Sequence, residues 1–125
     1  MKFLHTMIRV KDIKKSLEFY TKLFDLELAK EKRLDDCTLY FLSDKEGYTQ
    51  LELTHNDETP ENGYEIGTGF GHLAFETKSM DEFTKKLKDL GYKYLYEPYH
   101  LSAVSSLIAF VKDPDGYEIE LIEKK

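Results

Sequence analysis

The chain has 125 residues, of which 41% are hydrophobic, and nine tyrosines and eight phenylalanines supply enough apolar surface for one compact domain or two very small ones. Its formal net charge of −6, with basic and acidic residues interspersed, argues against nucleic acid or an anionic membrane surface as the main partner, because both require a basic patch. Cys37 is the single cysteine and the N-terminus lacks the long apolar stretch of a signal peptide, so we expect a soluble protein of the reducing cytoplasm.

The first half of the sequence predicts a strand, an amphipathic helix and then three more strands. Residues 3–10 alternate between polar and apolar side chains, which places His5 and Arg9 on the same face. Asp12 is a suitable N-cap for the helix, whose apolar residues recur at helical spacing. The three later strands are predicted at residues 27–30, 38–42 and 48–55.

The second half of the sequence predicts the same order of elements after a glycine-containing loop. Ser79 and Glu82 form a predicted capping box at the start of a helix that ends at Gly91. The DPDG sequence at residues 113–116 predicts a tight turn before the last strand. The strands of this half are predicted at residues 70–77, 92–96, 107–111 and 117–122.

Matching polar residues indicate that the two halves are repeats of one unit. His5 precedes Glu52 by 47 residues, and each of the two lies in a predicted strand. His72 precedes Glu120 by 48 residues in the same arrangement. We therefore predict an α+β chain in three parts: an N-terminal module at residues 1–58, a linker loop at 59–69 and a C-terminal module at 70–125.

The two histidines and two glutamates are candidate metal ligands. If the first and last strands of each module are neighbours, each histidine lies beside its glutamate on one face of a sheet. Two imidazoles and two carboxylates, without a thiolate, suit Ni, Co, Mn, Fe or Zn and leave positions for water or substrate. Gln50 and Thr54 flank Glu52 on its own face and are candidates to hold its second oxygen. The alternative is that Glu118 and Glu120 simply face water from a half-exposed strand.

Four stretches of the chain also carry a family resemblance: LHTMIRVKDIKKSLEFYTKLFDLEL, QLELTHN, GFGHLAFET and IAFVKDPDGYEIELIEK. They resemble the glyoxalase I (lactoylglutathione lyase) branch of the vicinal oxygen chelate superfamily over nearly the whole chain. The resemblance implies two βαβββ modules per chain and a homodimer in which modules of different subunits pair into barrel-like metal sites. By this likeness, His5 and Glu52 of one subunit meet two ligands of the other, His72 and Glu120.

The resemblance further implies isomerisation of the methylglyoxal–glutathione hemithioacetal to S-lactoylglutathione through an enediolate, a detoxification reaction. Under this hypothesis Glu120 is the principal base, and Glu52 is a ligand and possible second acid/base. Arg9 and Asn56 match positions that hold the glutamyl end of glutathione, whereas the alternative for Arg9 is a surface ion pair. The short chain resembles the nickel- or cobalt-activated bacterial form, with zinc as the third option.

Two departures from the family pattern leave the identity of the thiol co-substrate open. Residues 97–106, EPYHLSAVSS, contain no lysine or arginine where relatives carry a basic loop, so His100 is the candidate cation there. The loop at residues 57–65 lacks an aromatic residue directly after the ELT-x-N stretch. His55 and His100 otherwise fit structural or surface positions. Another thiol, a different vicinal-oxygen reaction such as ring cleavage or thiol transfer, and a non-catalytic binding module remain alternatives.

Overall fold

The computed structural model describes residues 1–101 and 106–124. The chain divides into two compact units, Met1–Glu65 and Ile66–Lys125. The predicted linker at residues 59–69 lies across this division. Part of the predicted loop at 97–106, residues 102–105, lies outside the described residues.

The N-terminal unit is a four-stranded sheet with one helical segment. Its strand order is β1-β4-β3-β2, in which β1 runs parallel to β4 and the other neighbours are antiparallel. The helix α1 continues as a π-helical turn at Phe19–Leu23, whose Phe19, Tyr20 and Leu23 are buried. The other elements are β1 at His5–Arg9, α1 at Ile13–Glu18, β2 at Glu27–Arg33, β3 at Cys37–Ser43 and β4 at Gln50–Asn56.

The C-terminal unit repeats this topology. Its strand order is β5-β8-β7-β6, with β5 parallel to β8 and the remaining neighbours antiparallel. The elements are β5 at His72–Glu76, α2 at Met80–Asp89, β6 at Tyr94–His100, β7 at Leu107–Lys112 and β8 at Glu118–Glu123. The predicted α+β chain of two βαβββ modules is confirmed.

Each sheet has one face packed in the core and one that carries polar side chains. In β1, Ile8 is buried while His5 and Arg9 are exposed, as the alternation of the sequence predicts. In β8, Ile119 and Leu121 are buried on one face. The polar faces of the two sheets therefore carry the four candidate metal ligands.

Local signals in the sequence fix the ends of the elements. The Asp12 carboxylate accepts a hydrogen bond of 3.1 Å from the Lys15 N–H and so caps α1 as predicted. In the DPDG turn, the buried Asp113 carboxylate accepts hydrogen bonds of 2.9 Å from the backbone N–H groups of Asp115 and Tyr117. Gly116 has φ +95°, a conformation that favours glycine, so this turn requires its glycine.

Several predicted boundaries were wrong by a few residues. The first strand begins at His5 rather than residue 3, and the Leu4 carbonyl directly before it accepts a hydrogen bond of 3.1 Å from the Gln50 N–H at the start of β4. Strand β6 was predicted at residues 92–96 but runs over Tyr94–His100, since an edge strand tolerates Pro98. Within the described residues, no helix is both long and apolar enough to cross a membrane.

Candidate metal and substrate site

A histidine and a glutamate meet on the polar face of the N-terminal sheet. Because β1 and β4 are parallel neighbours, with Met7 opposite Glu52, the two side chains lie diagonally across the strand pair. The His5 Nε2 atom is 3.1 Å from the Glu52 Oε1 atom. The Glu52 side chain is only 9% exposed and that of His5 is 38% exposed, so the carboxylate is sheltered and the imidazole borders the solvent.

Two further residues hold this pair in place. The Thr54 hydroxyl donates a hydrogen bond of 2.8 Å to the Glu52 Oε2 atom, so both carboxylate oxygens have a neighbour. This contact is the one that the sequence predicted for Thr54. The ring of Phe41, which lies opposite Glu52 on β3, contacts His5 edge to face at 5.6 Å between centroids. Imidazole and carboxylate are therefore both oriented before any ligand arrives.

The C-terminal sheet carries the same arrangement. The His72 Nε2 atom is 3.2 Å from the Glu120 Oε1 atom, and the Glu120 side chain is 14% exposed. Phe110 lies opposite Glu120 on β7 and contacts His72 edge to face at 5.3 Å. Each histidine thus has a glutamate and a phenylalanine at equivalent places in its module.

The two pairs differ at the second carboxylate oxygen. The position two residues after Glu52 is Thr54, whereas the position two residues after Glu120 is Ile122, which has no hydroxyl. Within residues 1–101 and 106–124, the Glu120 Oε2 atom accepts no hydrogen bond. Glu52 is therefore held at both oxygens and Glu120 at one.

Each pair has the donor chemistry and spacing of two adjacent metal ligands. An imidazole nitrogen and a carboxylate oxygen bound at right angles, with bonds of about 2.1 Å, lie about 3.0 Å apart. The measured separations of 3.1 and 3.2 Å are close to this value. In the part of the chain that the structure describes, no group of three or more His, Cys, Asp or Glu side chains comes together. Each module therefore offers two donors, which is half of a four-ligand set.

A second polar group lies at the end of β4. The Arg9 guanidinium donates a hydrogen bond of 3.1 Å from Nη1 to the Asn56 Oδ1 atom. The Tyr64 hydroxyl donates to the same oxygen at 3.2 Å. The Asn56 side-chain oxygen thus faces two donors. If the amide were flipped, its NH₂ group would face the N–H of Arg9 and the O–H of Tyr64, and neither hydrogen bond could form. The Asn56 amide nitrogen is therefore directed away from both and is available as a donor.

An ion pair fixes the backbone directly after Asn56. The Arg33 guanidinium makes two parallel hydrogen bonds of 2.5 Å to the Asp57 carboxylate and a third, of 3.2 Å, to the Asp35 carbonyl. The hydrogen bond from Arg33 lowers the pKa of Asp57. The Asp57 N–H also donates to the Asp36 carbonyl at 2.9 Å. These contacts join the end of β4 to the β2–β3 hairpin, which limits the movement of Asn56.

The other singled-out residues lie apart from these groups. His55 is half-buried at the end of β4 and His100 is exposed at the end of β6. Cys37 is buried, and burial raises the pKa of its thiol.

The sequence did not predict the contacts of Phe41, Phe110 and Tyr64. The repeat contained a signal for the two phenylalanines, which precede their glutamates by 11 and 10 residues, but nothing local to Tyr64 predicts its contact with Asn56.

Comparisons with known proteins agree with this architecture. Residues 2–121 match the family model described as the Glyoxalase/Bleomycin resistance protein/Dioxygenase superfamily. The "Probable lactoylglutathione lyase" of Synechocystis is 42% identical over 127 residues, covering 98% of this chain and 95% of that protein.

Solved structures give the same result. The crystal structure of glyoxalase I from Zea mays superimposes with a TM-score of 0.88 at 33% identity, covering 98% of this chain. This chain spans only 44% of the maize chain. A trypanothione-dependent glyoxalase I of Leishmania major superimposes with a TM-score of 0.82 at 33% identity, covering 99% of this chain and 87% of that one.

Proposed function

The chain belongs to the glyoxalase/bleomycin resistance protein/dioxygenase superfamily, and on that premise we propose that it is a lactoylglutathione lyase that isomerises the methylglyoxal–glutathione hemithioacetal to S-lactoylglutathione. The observation that carries this proposal is the pair of equivalent His–Glu contacts, one in each module. Ring-cleaving dioxygenases characteristically use two histidines and one carboxylate, so the second glutamate favours the isomerase.

The proposed metal site uses four ligands from two chains. His5 and Glu52 of one subunit and the equivalent pair of a second copy, His72 and Glu120, together supply two nitrogens and two carboxylates. Each His–Glu pair supplies two donors, so a four-ligand set needs two modules, and the resemblance to glyoxalase I supports their coming from different subunits of a homodimer. Nickel is the leading metal because the short chain resembles the nickel- or cobalt-activated form, and cobalt and zinc are alternatives because the donor set is compatible with all three. When bound, the cation would draw electron density from the two adjacent oxygens of the substrate.

The reaction moves a proton between two neighbouring carbon atoms. A base removes the proton from the carbon that bears sulfur and delivers it to the adjacent carbonyl carbon, while the hydroxyl proton passes between the two oxygens, so the substrate is isomerised without net oxidation. A carboxylate that carries this proton has to come within reach of both carbon atoms, so an oxygen without a fixed partner suits this role. Glu120 has such an oxygen in Oε2, whereas Thr54 and His5 restrain Glu52. We therefore assign Glu120 as the principal base and Glu52 mainly as a ligand, with a possible second acid/base role.

Removing the hydroxyl that holds Glu52 should weaken metal binding. In a Thr54→Val variant the Glu52 Oε2 atom loses the 2.8 Å hydrogen bond that orients it. Because residues that orient a ligand contribute about 10- to 100-fold to metal affinity, we expect Ni²⁺ affinity to fall about tenfold. Competition with a chromophoric chelator measures this change. Thr6→Val, in the neighbouring strand β1, is the matched control, and equal affinities in the two variants would contradict the role of Thr54.

The Arg9–Asn56 group is the proposed site for the glutamyl carboxylate of the thiol. An Arg guanidinium beside a fixed amide N–H presents only donors, which suits a carboxylate. The thiol itself is proposed to be glutathione. A different low-molecular-weight thiol is the alternative, because the glyoxalase I of Leishmania major depends on trypanothione.

Tyr64 should matter for substrate binding rather than for chemistry. In a Tyr64→Phe variant the Asn56 amide loses one of the two donors that fix it, and we expect KM for the hemithioacetal to rise about threefold to tenfold with kcat unchanged. Steady-state kinetics measure both constants. Tyr48→Phe, at a tyrosine that is 80% exposed, is the control. The effect of Tyr64→Phe should disappear in an Asn56→Ala background, and a full effect there would show that Tyr64 acts independently of Asn56.

Isomerase activity after metal reconstitution tests the proposal as a whole. Apo-protein is loaded separately with Ni, Co, Mn and Zn and assayed on preformed hemithioacetal. Strong activity with Ni or Co and little with Zn is the expected result. Stoichiometric metal binding without activity on this substrate would exclude lactoylglutathione lyase while leaving the four ligands as a metal site. We place the enzyme in the cytoplasm, where glutathione and a reduced Cys37 are both expected.

A further inference from the structure

A β-bulge turns one lysine toward the face that carries the His5–Glu52 pair. In β2 the register shifts between Leu28 and Lys30, so that Leu28 lies opposite Leu42 but Lys30 lies opposite Phe41. Without the extra residue, Ala29 would face Phe41 and Lys30 would point to the opposite side of the sheet. Bulges are frequent beside active sites, where they redirect a side chain.

The bulge places Lys30 in one row with the candidate metal ligand. Across the sheet, Lys30 lies opposite Phe41, and Phe41 lies opposite Glu52. The Lys30 Nζ atom is 5.9 Å from the Phe41 ring centroid, which is itself 5.6 Å from the His5 ring. The sum of the two distances, about 11.5 Å, is the upper limit for the separation of the ammonium from the His5 ring.

The C-terminal module has the same bulge with a different side chain. Its register shifts between Tyr94 and Tyr96, so that Tyr96 lies opposite Phe110, and Phe110 lies opposite Glu120. Tyr96 contacts Phe110 edge to face at 5.7 Å. The two modules therefore present one residue each at the same place beside a glutamate and a phenylalanine. That residue is a cation in the first module and a neutral aromatic in the second.

The ammonium of Lys30 is available to a ligand. Lys30 is exposed and forms no hydrogen bond or ion pair with any residue of the described ranges 1–101 and 106–124. Lys32 extends the positive charge along the same face, since it lies opposite Leu39 in β3. Arg9 lies on the other edge strand of this sheet, in the same row as Lys32 and so three strand spacings, or about 14 Å, from the backbone of Lys32. The polar face thus carries Arg9 on one edge strand and Lys30 on the other, with Glu52 on an inner strand between them.

We propose that Lys30 binds the second carboxylate of the thiol moiety, the glycyl carboxylate in glutathione, while the Arg9–Asn56 group holds the first. This inference rests on the proposed function and names a subsite for it. A tripeptide spans about 10 Å when extended, and the long side chains of Arg9 and Lys30 reach inward from their strands, so one thiol can contact both. Lys30 is a binding residue that acts on KM and takes no part in proton transfer.

The test compares two substrates that differ only in the charge of the glycyl end. The nickel-loaded parent chain and Lys30→Gln are assayed with hemithioacetals formed from glutathione and from its glycyl ethyl ester. In the parent, the ester should raise KM about tenfold, since it removes a charge-assisted contact. In Lys30→Gln, the glutathione adduct should show the same raised KM, and esterification should have no further effect. Lys30→Arg should restore the preference of the parent.

Lys22→Gln is the matched control, because Lys22 lies in the π-helical turn beside Glu18 and should leave the ester effect unchanged. If Lys30→Gln discriminates between acid and ester as strongly as the parent, the subsite is wrong even though the enzyme is a lactoylglutathione lyase. If the parent turns over neither substrate, calorimetry with S-hexylglutathione and its glycyl ester decides. If Lys30→Gln binds S-hexylglutathione more weakly than the parent chain does, the subsite is supported. If the two proteins bind it equally, or if the parent chain does not bind it, the subsite is wrong.

Discussion

Replacing Glu120 with glutamine is expected to lower kcat on the hemithioacetal about 10²- to 10⁴-fold, the usual contribution of a positioned acid/base group. Glutamine has the shape of glutamate and keeps one oxygen that can face a metal beside His72, but its amide cannot accept the substrate proton at neutral pH. The loss should therefore persist when the site is fully loaded. Steady-state rates at saturating Ni²⁺, with metal content determined on the same sample, provide the measurement.

Glu76→Gln is the matched control for this variant. Glu76 lies in the neighbouring strand β5 and forms an exposed ion pair with Lys124, and such pairs contribute little to stability. Its activity should equal that of the parent. Full activity in a metal-loaded Glu120→Gln variant would show that another group is the principal base, and Glu52 is the next candidate.

Two inactive variants of the chain should form an active heterodimer. One variant lacks the N-terminal pair through His5→Ala and Glu52→Ala, and the other lacks the C-terminal pair through His72→Ala and Glu120→Ala. Each homodimer has only incomplete sites. If sites form between subunits, the heterodimer has one site with both pairs intact and one with neither, so it should show about half the activity of the parent dimer. Co-expression with two different tags allows the heterodimer to be isolated and assayed.

The alternative arrangement gives a different result. If each chain carried its own complete site, both chains of the heterodimer would be defective and activity would stay at background. A heterodimer of the parent with either variant is the positive control, and it should also retain about half the activity. If the heterodimer of the two inactive variants is inactive while the control is active, the site is not shared between subunits. The assignment of the four metal ligands would be unaffected.

The residues of the His–Glu pairs could be predicted from the sequence because few physical rules determine them. Alternation along a strand puts His5 on the polar face, and the pairing of β1 with β4 then sets Glu52 beside it. The repeat selects the second pair in the same way. Even the hydrogen bond from Thr54 follows from its position two residues after Glu52.

The features that the sequence did not reveal depend on local irregularities or long-range contacts. The bulge at Ala29 has no glycine or proline to mark it, and every residue of β2 is exposed, so the strand lacks the usual alternation of burial. Tyr64 contacts Asn56 only because the intervening loop folds back, and its path depends on contacts such as that of Lys11 with the Glu61 carbonyl. The π-helical turn at Phe19–Leu23 likewise reflects tertiary packing rather than helix propensity.

The difference between Thr54 and Ile122 breaks the symmetry between the two modules. Two identical modules would have supplied two identical carboxylates, each either firmly restrained or free to move. Under the proposed function, the Thr54 hydroxyl would restrain the glutamate that mainly binds the cation, and Ile122 would leave its counterpart Glu120 free to carry the proton. A single side chain, placed two residues beyond a glutamate, therefore makes the surroundings of two otherwise equivalent carboxylates different.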